Sequence, residues 1–182
     1  MDTAAAAAAS ERPLAGAPPP APLPDWYAVY TRARHEKVLA RELERRGLAV
    51  LLPLYRSFQG SHRRRLVERP LFPSYVFARF HAAARLRVLT APGAVYLVGD
   101  SRGPLSIPSA EIRSVAVLAA AGVAAPCAFW RQGLRVRVVR GPLAGVEGVL
   151  EDRRGRSALV VSIGALASSV RAEIPLEDVE PT

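Results

Sequence analysis

The sequence predicts an α+β protein in two parts, an antiparallel sheet carrying helices followed by a small all-β barrel. Three observations carry this. Between residues 25 and 121, strand-like runs alternate with helix-period runs in the order βαββαβα. After residue 130, four short Val-rich runs recur at nearly regular spacing with glycines between them. The residues between the two patterns, Ala119–Pro126, are small and suit a linker, placed at 122–129. A chain of 182 residues, half of them hydrophobic, can bury one medium core and one small one.

Residues 1–24 join Ala4–Ala9 to a proline-rich stretch and offer little to bury, so they are expected to form a disordered or extended leader. Trp26-Tyr27-Ala28-Val29-Tyr30-Thr31 is aromatic and β-branched and reads as the first strand. From Ala33 to Arg46 no Pro or Gly interrupts a helical period; Leu39, Ala40 and Leu43 share one face, and Gly47 supplies the stop. Two extended runs follow, Leu48–Tyr55 and Leu66–Phe80, around a basic hairpin tip at 56–65. A short helix over His81–Thr90, a strand over Ala94–Val98 and a helix from Ser109 to about Ala121 complete the first part, with Ser109 expected as its cap and Glu111 near its positive end. This order is the ferredoxin-like, split βαβ pattern. The barrel strands are expected over Leu134–Val139, Val146–Glu151, Leu159–Ile163 and Val170–Ile174.

The net charge of +9 is unevenly spread. Residues 25–122 hold sixteen basic against seven acidic side chains, whereas residues 123–182 hold eight against seven. Such local excess, more than the total, selects polyanionic partners. Arg34, Lys37, Arg41 and Arg45, with Arg32 ahead of them, form a stripe on one face of the first helix and are candidates for nucleic-acid phosphate contacts; a merely solvated helix face is the alternative. The single cysteine, Cys127, cannot form an internal disulfide, and His35, His62 and His81 have no metal-ligand spacing. Neither a metal nor any other cofactor is expected. No apolar run reaches the roughly 18 residues of a membrane span, and the start of the chain lacks the positive charge of a secretion signal, so a cytoplasmic protein without membrane contact is expected. The carboxylates of the first part are too few and too interspersed with Arg to suggest a two-metal site, and no nucleophile, acid and base assemble; an enzyme is not expected.

Two segments stand out. In Arg69-Pro70-Leu71-Phe72-Pro73-Ser74-Tyr75-Val76-Phe77, prolines bracket large apolar side chains at a strand entry. Val76 and Phe77 read as core; Phe72 and Tyr75 suit either core or an exposed docking surface. The second, from Arg135 to Leu150, is a strand, a turn and a strand whose glycines at 141, 145 and 148 admit backbone angles closed to other residues. No Gly-Lys-Ser/Thr follows it, which argues against a nucleotide loop.

These segments make the chain resemble the NusG family of transcription elongation factors. Trp26-Tyr27-Ala28-Val29 with Glu36-Lys37-Val38 is similar to the family's opening strand and helix, Pro70–Phe77 to its Phe-Pro-Gly-Tyr strand, and Gly141-Pro142-Leu143-Ala144-Gly145-Val146-Glu147-Gly148 to its KOW turn, with Gly141, Pro142, Gly145 and Gly148 at the turn positions. The resemblance implies an amino-terminal NusG domain over 25–121 and a KOW domain over 130–182. The spacing from Arg63-Arg64-Arg65 to Pro70-Leu71-Phe72-Pro73 looks most like the UpxY and RfaH-like paralogues that antiterminate long operons. It implies a monomer that docks on the clamp helices of RNA polymerase, limits pausing or termination and touches the non-template DNA strand. Trp26, Tyr27, Phe72 and Tyr75 would be the polymerase contacts, and a ribosomal protein or termination factor the KOW partner. Ser74 departs from the family's glycine, which puts the local backbone geometry in doubt. A general housekeeping factor and a ribosome-associated KOW protein that binds RNA are the alternatives.

Overall fold

The computed structural model describes residues 24–60, 64–127, 133–153 and 156–182. The leader expected at 1–24 lies outside them except for Pro24, as do His62 and Arg63 of the hairpin tip.

The described residues begin with strand β1 (Asp25–Thr31) and helix α1 (Glu36–Arg45), then β2 (Ala49–Leu51), β3 (Leu54–Gln59), β4 (Arg65–Pro70) and β5 (Tyr75–Phe80). Helix α2 (Arg85–Leu89), β6 (Ala94–Leu97), the short β7 (Gly99–Asp100), β8 (Gly103–Pro104) and β9 (Ser106–Ile107), and helix α3 (Ser109–Ala120) follow. The second part comprises β10 (Ala125–Cys127), β11 (Leu134–Val138), β12 (Glu147–Arg153), β13 (Arg156–Ile163), β14 (Ser168–Glu173) and β15 (Val179–Pro181).

The first sheet has the order β2-β5-β1-β6, with β9 also pairing β1, and every pairing is antiparallel. Period-two alternation along β1 divides its side chains between two layers. Tyr27 and Val29 pack under α1 with Leu39, Leu43, Val76, Ala78 and Phe80. Ala28 joins Phe72, Phe77 and the α3 residues Ile112, Val115 and Leu118 on the opposite side. Burial of Leu39 and Leu43, both fully enclosed, stabilises the α1 contact by about 1.5–3 kcal/mol each. The helix ends because Gly47, at φ 77°, turns left-handed while its N–H and that of Leu48 reach back to Glu44 and Leu43 carbonyls.

Both expected long strands are broken. Pro53 lies between β2 and β3, and Leu71-Phe72-Pro73-Ser74 separates β4 from β5, so β3 and β4 form a separate two-stranded hairpin. Proline cannot supply a ladder N–H at either break. Strand pairing continues to Gln59↔Arg65, leaving a shorter tip than residues 56–65. Helix α1 starts at Glu36 instead of Ala33, because Arg34 is left-handed at φ 63°. Pro108, not Ser109, occupies the α3 cap position, and no side chain caps that end.

The second sheet runs β10-β14-β13-β12-β11-β15, all antiparallel. Its four central strands fall close to the expected ones. Within 122–129, expected as a linker, Ala125–Cys127 pairs with β14 through Ala125↔Arg171 and Cys127↔Ser169. Helix α3 packs on both sheets, and its buried Ile112, Val115 and Leu118 share one continuous apolar core with Val136, Leu159, Val161 and Ile163. Two polar contacts accompany this core: Gly164 N–H donates to Glu111 Oε2 at 3.2 Å, and Glu147 N–H to Ser114 Oγ at 3.4 Å.

Candidate binding surface

The aromatic residues singled out by the sequence do not share one surface. Tyr27 is 5% exposed and faces α1, with its ring 4.7 Å from that of Phe80. Its position one residue after Trp26 in β1 places it on the other face of the sheet. Phe72 is 2% exposed and meets Phe77 edge-to-face at 5.4 Å, so it is core beneath α3 and not a free contact. Neither ring is presented to solvent, and of the two readings open for Phe72 the structure shows the buried one. Trp26 and Tyr75 are half-buried and lie on the α3 side of the sheet, packed against that core.

Two tyrosines that sequence reasoning missed complete the exposed part of this face. Tyr30 pairs across the strands with Tyr75 on one side and Tyr96 on the other. The Tyr30 ring stacks on Tyr96 at 4.8 Å and meets Tyr75 edge-on at 5.4 Å, forming a row of three rings over β5, β1 and β6. Tyr96 is 47% exposed. The Tyr75 hydroxyl is held above its usual range, first by burial and then by the neighbouring Tyr96 and Tyr30. Tyr30 could have been found by stepping two residues at a time from Trp26, whereas Tyr96 needed the pairing of β6 with β1.

The entry to β5 is tied to α1. Ser74 sits at φ 65°, the left-handed region; its N–H donates to Glu36 Oε1 at 2.9 Å and its carbonyl accepts from Thr31 N–H at 2.8 Å. The side chain at this position therefore carries the backbone conformation that glycine would adopt without strain.

The five basic residues of the stripe are all exposed, but only Lys37, Arg41 and Arg45 lie on α1; Arg32 and the left-handed Arg34 precede it, so the stripe expected on one helix face is shorter. Lys37 pairs with Glu68 of β4 at 3.3 Å and Arg45 with Glu42 at 2.9 Å. Arg46 and Arg45 both donate to Glu42 and hold its carboxyl below the usual range, Arg46 having the larger effect. Arg32, Arg34 and Arg41 make no ion pair among the described residues. The stripe is thus partly neutralised, with three guanidinium groups left for an anion.

The β3–β4 hairpin presents a further feature that the expected basic tip concealed. Phe58 and Leu66, directly opposite in the pairing, are 66% and 55% exposed, and the Arg64 guanidinium lies 5.9 Å from the Phe58 ring centroid.

In the second sheet, Gly141 and Gly145 adopt φ 76° and 86° in the turn between β11 and β12, closed by Gly145 N–H donating to Val138 O and Val138 N–H to Val146 O. Pro142 is exposed within it. Gly148 differs from the expectation, since its φ is not positive: a Cβ there would stand 2.6 Å from Val160 O, so close strand approach requires glycine. An open cleft lies between α3 and the second sheet, lined by Glu111, Ser114, Arg135 and Glu147. Burial raises the Glu111 carboxyl, opposed by the Gly164 N–H and Arg135.

These surfaces offer stacking, ion pairing and apolar contact. Among the described residues, no three His, Cys, Asp or Glu side chains converge as metal ligands, and no helix is long and apolar enough to cross a membrane.

Comparison with known proteins gives a concordant result. The sequence model of the family described as "Transcription termination factor nusG" matches residues 24–116. The transcription termination/antitermination protein NusG of Helicobacter pylori strain J99 is 25% identical over 142 residues, covering 70% of this chain and 81% of the relative. That of Thermus thermophilus is 28% identical over 166 residues, covering 76% and 89%. Among solved structures, one described as "Domain interaction in Thermotoga maritima NusG" shares the fold at a TM-score of 0.52 and 20% identity, covering 87% of this chain and 97% of that one.

Proposed function

The chain belongs to the NusG family of transcription factors, and from that premise we propose that it is an elongation and antitermination factor that docks on the clamp helices of RNA polymerase and reduces pausing or termination. The observation that carries this is the row of Tyr30, Tyr75 and Tyr96, with Trp26 on the same face of the first sheet. Partly exposed rings with one apolar side and a polar tip are the residues that dominate protein interfaces. Residues 25–121 would take the polymerase-docking role and residues 130–182 the recruitment of a ribosomal protein or termination factor, in a monomer acting in the cytoplasm.

The function is binding alone, with no bond made or broken and no cofactor. Arg32, Arg34 and Arg41, free of ion pairs among the described residues, support contact with the phosphates of the non-template DNA strand, with Lys37 and Arg45 beside them. An operon-restricted role is favoured by the resemblance of the hairpin spacing to the UpxY and RfaH-like paralogues.

The test is co-purification of polymerase with the full-length protein and its Tyr75→Ala/Tyr96→Ala variant, with a single-round pausing assay alongside. The expected result is polymerase capture and pause suppression by the parent and loss of both in the variant. Capture of ribosomal subunits without polymerase would reject the reading. Transcript profiling after gene deletion separates the operon-restricted form, which changes a few long transcripts, from a general factor, which changes most.

A further inference from the structure

We propose that the face of the β3–β4 hairpin around Phe58 is a stacking platform for a base of single-stranded DNA, with Phe58 supplying the ring and Arg56 and Arg64 the contacts to the adjoining phosphates. Phe58 is 66% exposed on a two-stranded hairpin that pairs with no other strand among the described residues. Arg56, two residues earlier in β3, shares its face, and the Arg64 guanidinium lies over one face of the ring, 5.9 Å from its centroid, so a base would stack on the ring surface that stays exposed. An exposed ring beside guanidinium groups is the combination by which proteins hold unpaired bases: the π face takes the base and the cations take the backbone.

Charge selects the occupant. On the face that carries Phe58 stand Arg56 and the Arg64 guanidinium, with Glu68, opposite Arg56, paired to Lys37 of α1; Arg65 and Arg69 add positive charge on the other face. That ion pair joins the hairpin to α1 at Lys37, one helical turn from the exposed Arg41 on the same face. A polyanion fits this surface, and an exposed ring stacks on bases only where they are unpaired. The choice of DNA over RNA rests on the functional reading above, in which this module lies beside the strand displaced during transcription. A purely structural role for Phe58, as the cross-strand partner of Leu66, would affect hairpin stability and not distinguish one nucleic acid from another.

The experiment uses the full-length protein and a labelled mixed-sequence oligodeoxynucleotide, single-stranded or annealed, with RNA of the same sequence, read by fluorescence anisotropy across a salt series. Phe58→Ala is expected to weaken single-strand binding by about tenfold or more, with duplex binding and the salt slope unchanged because no charge is removed. Phe58→Trp is expected to restore affinity, and the unfolding midpoint to stay near that of the parent. Unchanged single-strand affinity in Phe58→Ala, or equal loss on duplex, overturns the proposal. Tighter binding of the RNA strand overturns the assignment to DNA, and loss of polymerase capture with intact strand affinity reassigns Phe58 to a protein contact. Failure of the Tyr75→Ala/Tyr96→Ala test with the expected Phe58→Ala result would reject polymerase docking and leave this site standing.

Discussion

The carboxylate of Glu36 accepts the backbone N–H of Ser74 at 2.9 Å, joining the first turn of α1 to the entry of β5 across 38 residues of sequence. Glu36 is only 9% exposed, and removing its carboxylate leaves the part-buried Ser74 N–H without this partner. Glu36→Ala is expected to lower stability by about 1–3 kcal/mol, and Glu36→Gln, which keeps the acceptor, by less. Urea denaturation of the three proteins checks this.

Ser74 itself holds φ 65°. A left-handed L-residue costs about 1–2 kcal/mol, of which the greater unfolded freedom of glycine offsets about 0.5–1. Ser74→Gly should therefore be neutral or stabilising by up to about 1.5 kcal/mol, measured as an upward shift of the thermal midpoint.

Phe72 and Tyr96 should respond in opposite ways. Phe72→Ala opens a cavity beside Phe77 and is expected to cost about 3–5 kcal/mol, so any loss of binding there reports unfolding. Tyr96→Ala, at a 47% exposed site, should change stability by less than about 1 kcal/mol while weakening polymerase capture. Calorimetry and co-purification on the same samples separate the two effects.

Burial raises the Glu111 carboxyl at the contact between α3 and the second sheet. The folded form thus holds its proton more tightly than the unfolded chain, so this group's contribution is fully present below the ordinary carboxylate pKa and is lost as pH rises through the raised folded value. Glu111→Gln is expected to raise the thermal midpoint at neutral pH, with the gain vanishing in acid where both side chains are uncharged. A pH series of melting curves is the check.

If Arg34 and Arg41 face phosphates, replacing each by Gln should reduce the slope of log affinity against log salt by about 0.7 on single strands, one neutralised phosphate at a time. Lys37, already paired with exposed Glu68, should contribute less. Anisotropy titrations across a salt series measure both.

The sequence reveals the layers more readily than the surface. Alternation along Trp26–Thr31 and the spacing of Leu39 and Leu43 identify the strand, the helix and the core they share, because local periodicity determines which side chains are buried. The same alternation sets Tyr27 apart from Trp26, although the family resemblance assigns both to one partner. Phe72 is ambiguous in sequence because whether a strand-entry aromatic is free or covered depends on where α3 packs, a relation established between residues far apart in the chain. The Tyr30–Tyr96 stack likewise depends on the pairing of β1 with β6. Gly148 shows the limit of turn chemistry, since its need for glycine comes from Val160 on a neighbouring strand and not from its own dihedral angle.

Strand β10 begins five residues after α3 ends, leaving between them only the four residues 121–124, of which Ala121 and Gly122 are still hydrogen-bonded to α3 and Ala124 is buried in the core. That length reaches about 15 Å at full extension. The two halves of the molecule are therefore on a short leash: drawing them farther apart requires Ala125–Cys127 to peel from β14, and a motion that in other two-part proteins would be diffusion on a tether becomes here the unzipping of a strand.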